Sequence, residues 1–194
     1  MKIIAIRHGE TDWNLSGKLQ GKTDNPLNAK GRKQAYETAC LLAGYKFDVI
    51  ISSPLKRATE TAEIVTTQLD ISSDVVTDSR LSERNFGDYE GLLISSLNIK
   101  SMRRWTDNLF IPNGETIRDV AARVFECLDD VLEKYNGGNI LLVCHGHVIR
   151  TILWYFNGIP NSNESDVSIE NCEIFEFKKY KIPKIKNISM MIEG

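Results

Sequence analysis

Short apolar runs divide the chain into regular segments. Runs at residues 3–6 and 139–144 are apolar without polar alternation, so both faces of each should be buried. Burial on both faces is typical of central strands in a parallel sheet. A run at 47–52 predicts another strand, and residues 74–77 predict a short one.

Apolar residues between these runs recur at the i, i+3, i+4 and i+7 spacing of helices with one buried face. The clearest such helix is predicted over 115–135. Another should begin after Asn28, which we predict as its N-cap. A third should begin at Ser53, predicted as N-cap, with Pro54 at the first helical position. A fourth helix is predicted after His145.

Strands that alternate with helices indicate an α/β fold. We predict a three-layer sandwich with a mostly parallel central sheet and helices on both faces. Strand-like runs at 172–177 and 184–191, joined near Pro183, should add an antiparallel edge. No repeat or linker interrupts the chain, so a single domain over 1–194 is expected. The less regular segment 85–112 is either a lid over a pocket or a helical connection packed onto the core.

Composition excludes several classes of function. The chain has 194 residues, of which 42% are hydrophobic and 26% charged, and its net charge is -2. No strong overall field would draw in nucleic acid or membrane, so anion binding would need a local cluster of cations. The four cysteines form no C-x-x-C pair, and the N-terminus resembles neither a signal peptide nor a membrane span. We expect a cytoplasmic protein; its oligomeric state stays open.

Chemically active side chains follow the predicted strands. Arg7 and His8 come directly after the first run, Arg57 lies in the first turn of a predicted helix, and His145 follows the run at 139–144. Ligands of open α/β sheets bind beyond the carboxyl ends of the strands. Arginine suits phosphate because its planar fork makes paired hydrogen bonds. The pattern predicts a dianion pocket in which His8 is reactive, while Gly9 permits close approach of the backbone.

Several blocks, in this order, give the chain a resemblance to the histidine phosphatase superfamily, which includes cofactor-dependent phosphoglycerate mutases. The resemblance covers nearly the whole chain. The blocks are Arg7-His8-Gly9-Glu10-Thr11-Asp12-Trp13-Asn14, Gln20-Gly21, Asp24-Asn25-Pro26-Leu27, Ser52-Ser53-Pro54-Leu55-Lys56-Arg57-Ala58-Thr59, Leu81-Ser82-Glu83, Phe86-Gly87, Glu90-Gly91, Pro112-Asn113-Gly114-Glu115 and Cys144-His145-Gly146.

The resemblance implies that His8 is the nucleophile and carries a covalent phosphohistidine. It also implies that Arg7, Arg57 and His145 are catalytic residues that hold the phosphoryl oxygens. A covalent intermediate splits a very slow hydrolysis into two easier transfers. The surrounding positive charge should keep the His8 imidazole neutral and nucleophilic.

Glu83 is implied as the general acid toward the leaving alcohol and then as the base for water. We expect Phe86 and Tyr89 to desolvate this carboxyl and so to raise its pKa.

The substrate-binding residues implied by the resemblance are Asn14, Gln20, Gly21 and Gly146. The sequence shows no carboxylate cluster that would hold a metal, and the implied scheme needs neither metal nor cofactor. The expected partner is a small phosphorylated substrate.

Three functions remain possible at this point. Hydrolysis of a small phosphate monoester is favoured, because the block around Glu83 is similar to the phosphatase branch of the family. A cofactor-dependent phosphoglycerate mutase is the first alternative, although mutases usually carry larger insertions around the pocket. A catalytically idle phosphate-binding module is the second.

Some charged residues allow two interpretations. His147 is expected to cap or pack the start of its helix, with a substrate contact as the alternative. Arg84 is expected to be a solvated surface charge. Lys100, Arg103 and Arg104 form either a basic helix face or a site for a second anionic group of the substrate, which would suit a mutase.

Overall fold

A five-stranded sheet forms the centre of the described part of the protein. The computed structural model describes residues 2–71, 74–98, 102–105, 109–159 and 168–178. The strands are β1 (Lys2–Arg7), β2 (Val49–Ser52), β3 (Val75–Thr77), β4 (Asn139–Cys144) and β5 (Ile174–Lys178). Their order is β3-β2-β4-β1-β5, with β5 antiparallel to β1 and the other pairs parallel. The predicted mostly parallel sheet with an antiparallel edge is confirmed.

Helices cover both faces of this sheet. They are α1 (Asp12–Leu15), α2 (Ala29–Leu41), α3 (Lys56–Gln68), α4 (Ile117–Lys134) and α5 (Gly146–Asn157). Ile3 and Ala5 point to the core shared with α4 and α5, whereas Ile4 and Ile6 point to the core shared with α2 and α3. Because successive strand residues face opposite sides, the apolar run of β1 fills both cores and produces three layers.

One predicted helix N-cap is confirmed, and another is wrong. Asn28 caps α2, where its side-chain oxygen accepts the Gly31 N–H at 2.8 Å. Ser53, predicted as the cap of the next helix, is not the N-cap of α3. That helix begins at Lys56 after Leu55, which makes no capping bond through its side chain. Ser53 lies one turn earlier, and its hydroxyl is used in the pocket described below.

Two glycines let β1 run close to α2. A Cβ atom on Gly9 would lie 2.4 Å from the carbonyl oxygen of Gly31, and a Cβ on Gly31 would lie 2.1 Å from the carbonyl oxygen of Glu10. Neither position can hold a side chain without moving the backbone. This contact fixes the segment that follows His8 against α2.

The segment 85–112 contains short turns of 3-10 helix, at Gly87–Tyr89 and Ile94–Ser96. Its apolar residues form a separate small core in which Phe86, Met102 and Ile111 pack with Leu19. Residues 99–101 and 106–108 lie outside the described residues, as does the predicted strand 184–191. Of the helices described, none has both the length and the apolar character needed to cross a membrane.

Candidate active site

The predicted reactive residues meet at the carboxyl ends of β1, β2 and β4. Because β4 lies between β1 and β2, the three strand ends are neighbours. The backbone ladder continues past the strands: the N–H of His8 donates to Cys144 O at 3.0 Å, and the N–H of Ser53 donates to Val143 O at 2.9 Å. The register of the sheet therefore sets the position of His8 relative to His145.

Hydrogen bonding defines which nitrogen of His8 is available for chemistry. His8 is 3% exposed, and its Nδ1 lies 2.7 Å from the Gly9 carbonyl oxygen. A carbonyl only accepts, so Nδ1 carries the hydrogen and Nε2 holds the lone pair. The Nε–H of Arg57 points at that Nε2 from 3.3 Å. Burial, and then the charge of Arg57, lower the pKa of His8 well below its usual value, so the ring stays neutral.

Arg57 is fully buried and held from three directions. Besides its contact with His8, it donates through Nη1 to Thr23 O at 2.8 Å and through Nη2 to Gly21 O at 2.7 Å. Burial lowers its pKa to about 10, which leaves it protonated at neutral pH. The guanidinium is thus a fixed positive charge beside the His8 lone pair, where it can meet an anion without reorganising.

His145 is oriented by Ser53. Its Nε2 lies 2.8 Å from the Ser53 hydroxyl oxygen, which also accepts the Leu55 N–H at 3.3 Å. The Ser53 hydroxyl can donate to Nε2, an arrangement that leaves the His145 hydrogen on Nδ1. That Nδ1 is buried without a hydrogen-bond partner among the described residues. Burial, and then the charge of Arg57, keep the pKa of His145 well below its usual value, so the ring is neutral.

The pocket around these residues is strongly cationic. Arg7 lines it and is anchored through Nη1 to Ile169 O at 2.6 Å. Among the described side chains that line the pocket, Glu83 is the carboxylate, whereas several others are cations. The lining residues with a positive charge are Arg7, Lys18, Arg57, Arg103 and Arg150, and the apolar ones include Leu19, Phe86, Ile94 and Ile169. Such a lining favours an anionic ligand that also carries some apolar surface.

Glu83 lines the pocket from the segment after β3. Its Oε1 accepts the Arg84 N–H at 2.9 Å and lies 3.8 Å from His147 Nδ1. Burial alone would raise the Glu83 pKa, but the hydrogen bond and charge of His147, the charge of His145 and the Arg84 N–H outweigh it and hold that pKa well below its usual range. The expectation of a raised pKa is therefore wrong, because interactions with the charged form dominate over desolvation.

Arg84 is buried, and the prediction of a solvated surface charge is wrong. Its guanidinium donates to three backbone carbonyls, at 2.7 Å to Glu115 and 3.2 Å to Leu109 as well as to Met102. Arg123 holds the same segment by donating to the carbonyl of Ser82 at 2.7 Å and that of Glu83 at 3.2 Å. These bonds satisfy backbone oxygens that would otherwise be buried without partners, and they fix the position of Glu83.

The four residues expected to bind substrate all line the pocket: Asn14, Gln20, Gly21 and Gly146. The side-chain oxygen of Asn14 accepts the Thr11 N–H at 3.2 Å, and that of Gln20 accepts the Thr11 hydroxyl at 2.9 Å, so their NH₂ groups are the ones suited to an anion. Gly21 has φ +58, and a Cβ there would meet Glu90 Oε1 at 2.0 Å. Gly146 is the first residue of α5, whose N-terminus favours negative charge.

Sequence reasoning missed residues that position the others. Ser53 was assigned to a helix cap although its hydroxyl orients His145, and no pattern in the sequence distinguishes the two uses. Asn171 donates to the His8 carbonyl oxygen at 2.9 Å from a loop distant in sequence. Arg150 lines the pocket one turn after Gly146 on α5; its i, i+4 spacing from Gly146 is the one signal that could have identified it.

Among the described residues, no group of three or more histidine, cysteine, aspartate or glutamate side chains is arranged to hold a metal ion. The chemistry that the geometry supports uses a neutral imidazole lone pair, fixed cations and a carboxylate. This set can transfer a phosphoryl group to His8 and donate or accept a proton on the far side.

Comparison with known proteins agrees with this chemistry. A family model described as histidine phosphatase superfamily (branch 1) matches residues 3–182. The chain is 36% identical over 196 residues to the uncharacterized phosphatase PhoE of Bacillus subtilis, covering 99% of this chain and 97% of that one. It is 35% identical over 180 residues to the phosphoglycerate mutase-like protein GpmB of Yersinia enterocolitica, covering 90% of this chain and 83% of that one.

A solved structure gives the same result. The phosphoserine phosphatase of Entamoeba histolytica, in complex with 3-phosphoglyceric acid, superposes with a TM-score of 0.79 at 32% identity and covers 91% of this chain and 90% of that one. The chain therefore belongs to branch 1 of the histidine phosphatase superfamily.

Proposed function

We propose that the protein hydrolyses a small phosphate monoester through a covalent phosphohistidine on Nε2 of His8. The observation that carries this proposal is the hydrogen bond from His8 Nδ1 to the Gly9 carbonyl oxygen at 2.7 Å. It fixes the tautomer, so the neutral Nε2 lone pair faces the pocket beside Arg57 and His145. A neutral, preoriented imidazole is the form that attacks phosphorus.

In the first step, Nε2 of His8 forms a bond to phosphorus while the bond from phosphorus to the leaving oxygen breaks. Arg7, Arg57 and the Nδ1–H of His145 hold the equatorial oxygens, with the Asn14 NH₂ as a further donor. Preorganised donors aimed at developing charge supply the largest share of such catalysis.

Glu83 serves the leaving group. The pKa of Glu83 lies well below its usual range, and a bound phosphate dianion disfavours a second negative charge and raises it. Glu83 then donates a proton to the departing oxygen. In the second step it takes a proton from water, whose oxygen bonds to phosphorus as the bond to His8 breaks.

The substrate is proposed to carry a second anionic group. Lys18, Arg103 and Arg150 line the pocket together with Arg7 and Arg57, and these five cationic side chains can balance a second anionic group besides the phosphate. The similar Entamoeba protein is named for phosphoserine and was solved with 3-phosphoglyceric acid; both molecules pair a phosphate with a carboxylate. Phe86, Ile94 and Arg103, from the described part of 85–112, line the pocket. This supports the proposed role of that segment as a lid.

A phosphatase assay across small monoesters tests this function. We expect inorganic phosphate release to be faster from phosphoserine and 3-phosphoglycerate than from neutral phosphosugars, and to persist in excess chelator. Rapid isomerisation of 3-phosphoglycerate with negligible hydrolysis would instead favour the mutase.

His8→Ala tests the covalent step, with Tyr155→Phe as the matched control. Tyr155 is buried on α5 and contacts Asp129 rather than the pocket. Rapid acid-free quenching should trap labelled phosphate on the wild type and on Tyr155→Phe, and none on His8→Ala. Turnover that survives in His8→Ala would overturn the mechanism.

A further inference from the structure

His147 lies at the start of α5 with no role in the phosphate-holding set. Its side chain is buried, it lines the pocket, and its ring contacts the edge of Phe86 at a centroid distance of 5.1 Å. Its backbone N–H lies 3.5 Å from Glu83 Oε2, and its Nδ1 lies 3.8 Å from Glu83 Oε1. Its Nε2 is buried with no hydrogen-bond partner among the described residues. The ring therefore faces the carboxylate that serves the leaving group.

Burial, together with nearby arginine charges, makes His147 a weak holder of a proton. Glu83 faces it from the segment after β3 and favours the charged ring, whereas Arg84 on that segment and Arg150 on α5 disfavour it. Burial is the largest influence, and the pKa of His147 lies below its usual value. A second negative charge in the pocket reverses this balance, because an anion favours the protonated ring.

We propose that Glu83 and His147 act as one proton-carrying pair, in which His147 is a positioning residue that supplies the leaving group with a proton through Glu83. This inference rests on the proposed function, since it requires Glu83 to be the general acid.

Proton accounting across the two steps is balanced. With a phosphate dianion bound, the pair carries one proton, on the ring or on the carboxylate. As the bond from His8 Nε2 to phosphorus forms and the bond to the leaving oxygen breaks, Glu83 gives this proton to the leaving oxygen. The pair is then an ionised carboxylate beside a neutral ring. The attacking water returns one proton to the pair as the bond from phosphorus to His8 breaks.

Two basic sites that share one proton keep it to a higher pH than one site does, because the pair is protonated whether the proton is on Glu83 or on His147. The variants His147→Asn and His147→Gln keep an amide donor near Glu83 but cannot carry the proton. If His147 had only a structural role, each variant would change kcat/KM by the same factor for every substrate.

The test is kcat/KM for a series from p-nitrophenyl to phenyl phosphate, measured against pH, for the wild type, His147→Asn, His147→Gln, Glu83→Gln and Tyr155→Phe. Nitrophenolate departs without a proton, whereas phenolate needs one. We expect both His147 variants to lose about tenfold or more on phenyl phosphate near neutral pH and less than about threefold on p-nitrophenyl phosphate. Their alkaline limb should move to lower pH, and Tyr155→Phe should follow the wild type.

The outcomes separate the inference from the function on which it rests. A steep dependence on the leaving group in Glu83→Gln together with wild-type behaviour in both His147 variants overturns the pair and leaves Glu83 as the acid. Equal losses on both substrates in the His147 variants assign His147 a structural role and also overturn the pair. A Glu83→Gln variant with wild-type dependence on the leaving group removes the acid role itself.

Discussion

The pocket consists of two halves that are built differently. The phosphoryl half (Arg7, His8, Arg57 and His145) extends from strand ends, and the hydrogen bonds of His8 and Ser53 to β4 continue the sheet. The leaving-group half (Glu83, Arg84 and His147) depends on arginine side chains that bind backbone carbonyls. In the first half the register of the sheet sets the geometry. In the second, cationic side chains hold the irregular segment that carries Glu83 and Arg84, and His147 comes from the start of α5.

This difference predicts different consequences of mutation. Changes in the phosphoryl half should remove chemistry with a moderate effect on folding, since the sheet remains. Changes in the supports of the leaving-group half should cost stability first, because they leave buried carbonyls without donors.

The largest effect is expected for Arg57→Met. It removes a fixed charge that would stabilise the transition state, so kcat/KM should fall about 10³-fold. Arg57→Lys is the matched control; it keeps the charge but cannot make the bonds to Gly21, Thr23 and His8 together. Steady-state kinetics should place it well below the wild type, and full activity in Arg57→Lys would show that the charge alone suffices.

Arg84→Met should be next in size and should act on stability. Three backbone carbonyls, that of Met102 buried and those of Glu115 and Leu109 partly buried, lose a charged donor, which should lower the free energy of unfolding by about 3 kcal/mol. Urea unfolding measures this change. Arg32→Met is the surface control, because Arg32 pairs with Glu60 with about half of its side chain exposed; it should cost less than about 1 kcal/mol. Equal losses in the two variants would contradict a supporting role for Arg84.

Acidification should destabilise the protein through its buried histidines. Their pKa values are lowered in the folded state, so below about pH 6.5 the unfolded chain binds more protons than the folded one. As the pH is lowered, the free energy of unfolding should fall by up to about 1.4 kcal/mol per pH unit for each histidine that stays neutral in the folded protein. Thermal unfolding between about pH 7.5 and 5.5 measures this loss.

Bound anion should counteract this effect, because it favours protonated histidines. Added vanadate or phosphate should therefore flatten the dependence of Tm on pH. His147→Asn should also flatten the dependence of Tm on pH, by the contribution of one histidine. A Tm that rises on acidification would contradict the neutral state of these rings.

The smallest effect is expected for Ser53→Ala, which removes the group that orients His145. Loss of a single hydrogen bond corresponds to about tenfold in kcat/KM, with little change in Tm. Ser16→Ala is the control, since the exposed Ser16 hydroxyl bonds only to the backbone of α1. Full activity in Ser53→Ala would show that the His145 tautomer is set in another way.

Much of the fold could be predicted from the chain. The strand 139–144 is observed at those bounds, and Asn28 caps the helix that was predicted after it. The errors fall where one residue type has two local uses. Ser53 before Pro54 fits a helix cap as well as a partner for His145, and nothing local decides between them. Arg84 was expected at the surface because the pattern around it does not show the carbonyls of 102–115 that enclose it.

The sequence by itself determined the α/β architecture and the position of reactive side chains at strand ends, because apolar periodicity is a property of local segments. It also identified Arg7, His8, Arg57, Glu83 and His145 as the candidate set. Only the tertiary structure decided which nitrogen of His8 carries the hydrogen, that the pKa of Glu83 is lowered and that His147 faces the Glu83 carboxylate. Those features depend on burial and on hydrogen bonds between residues far apart in the chain, which no local pattern encodes.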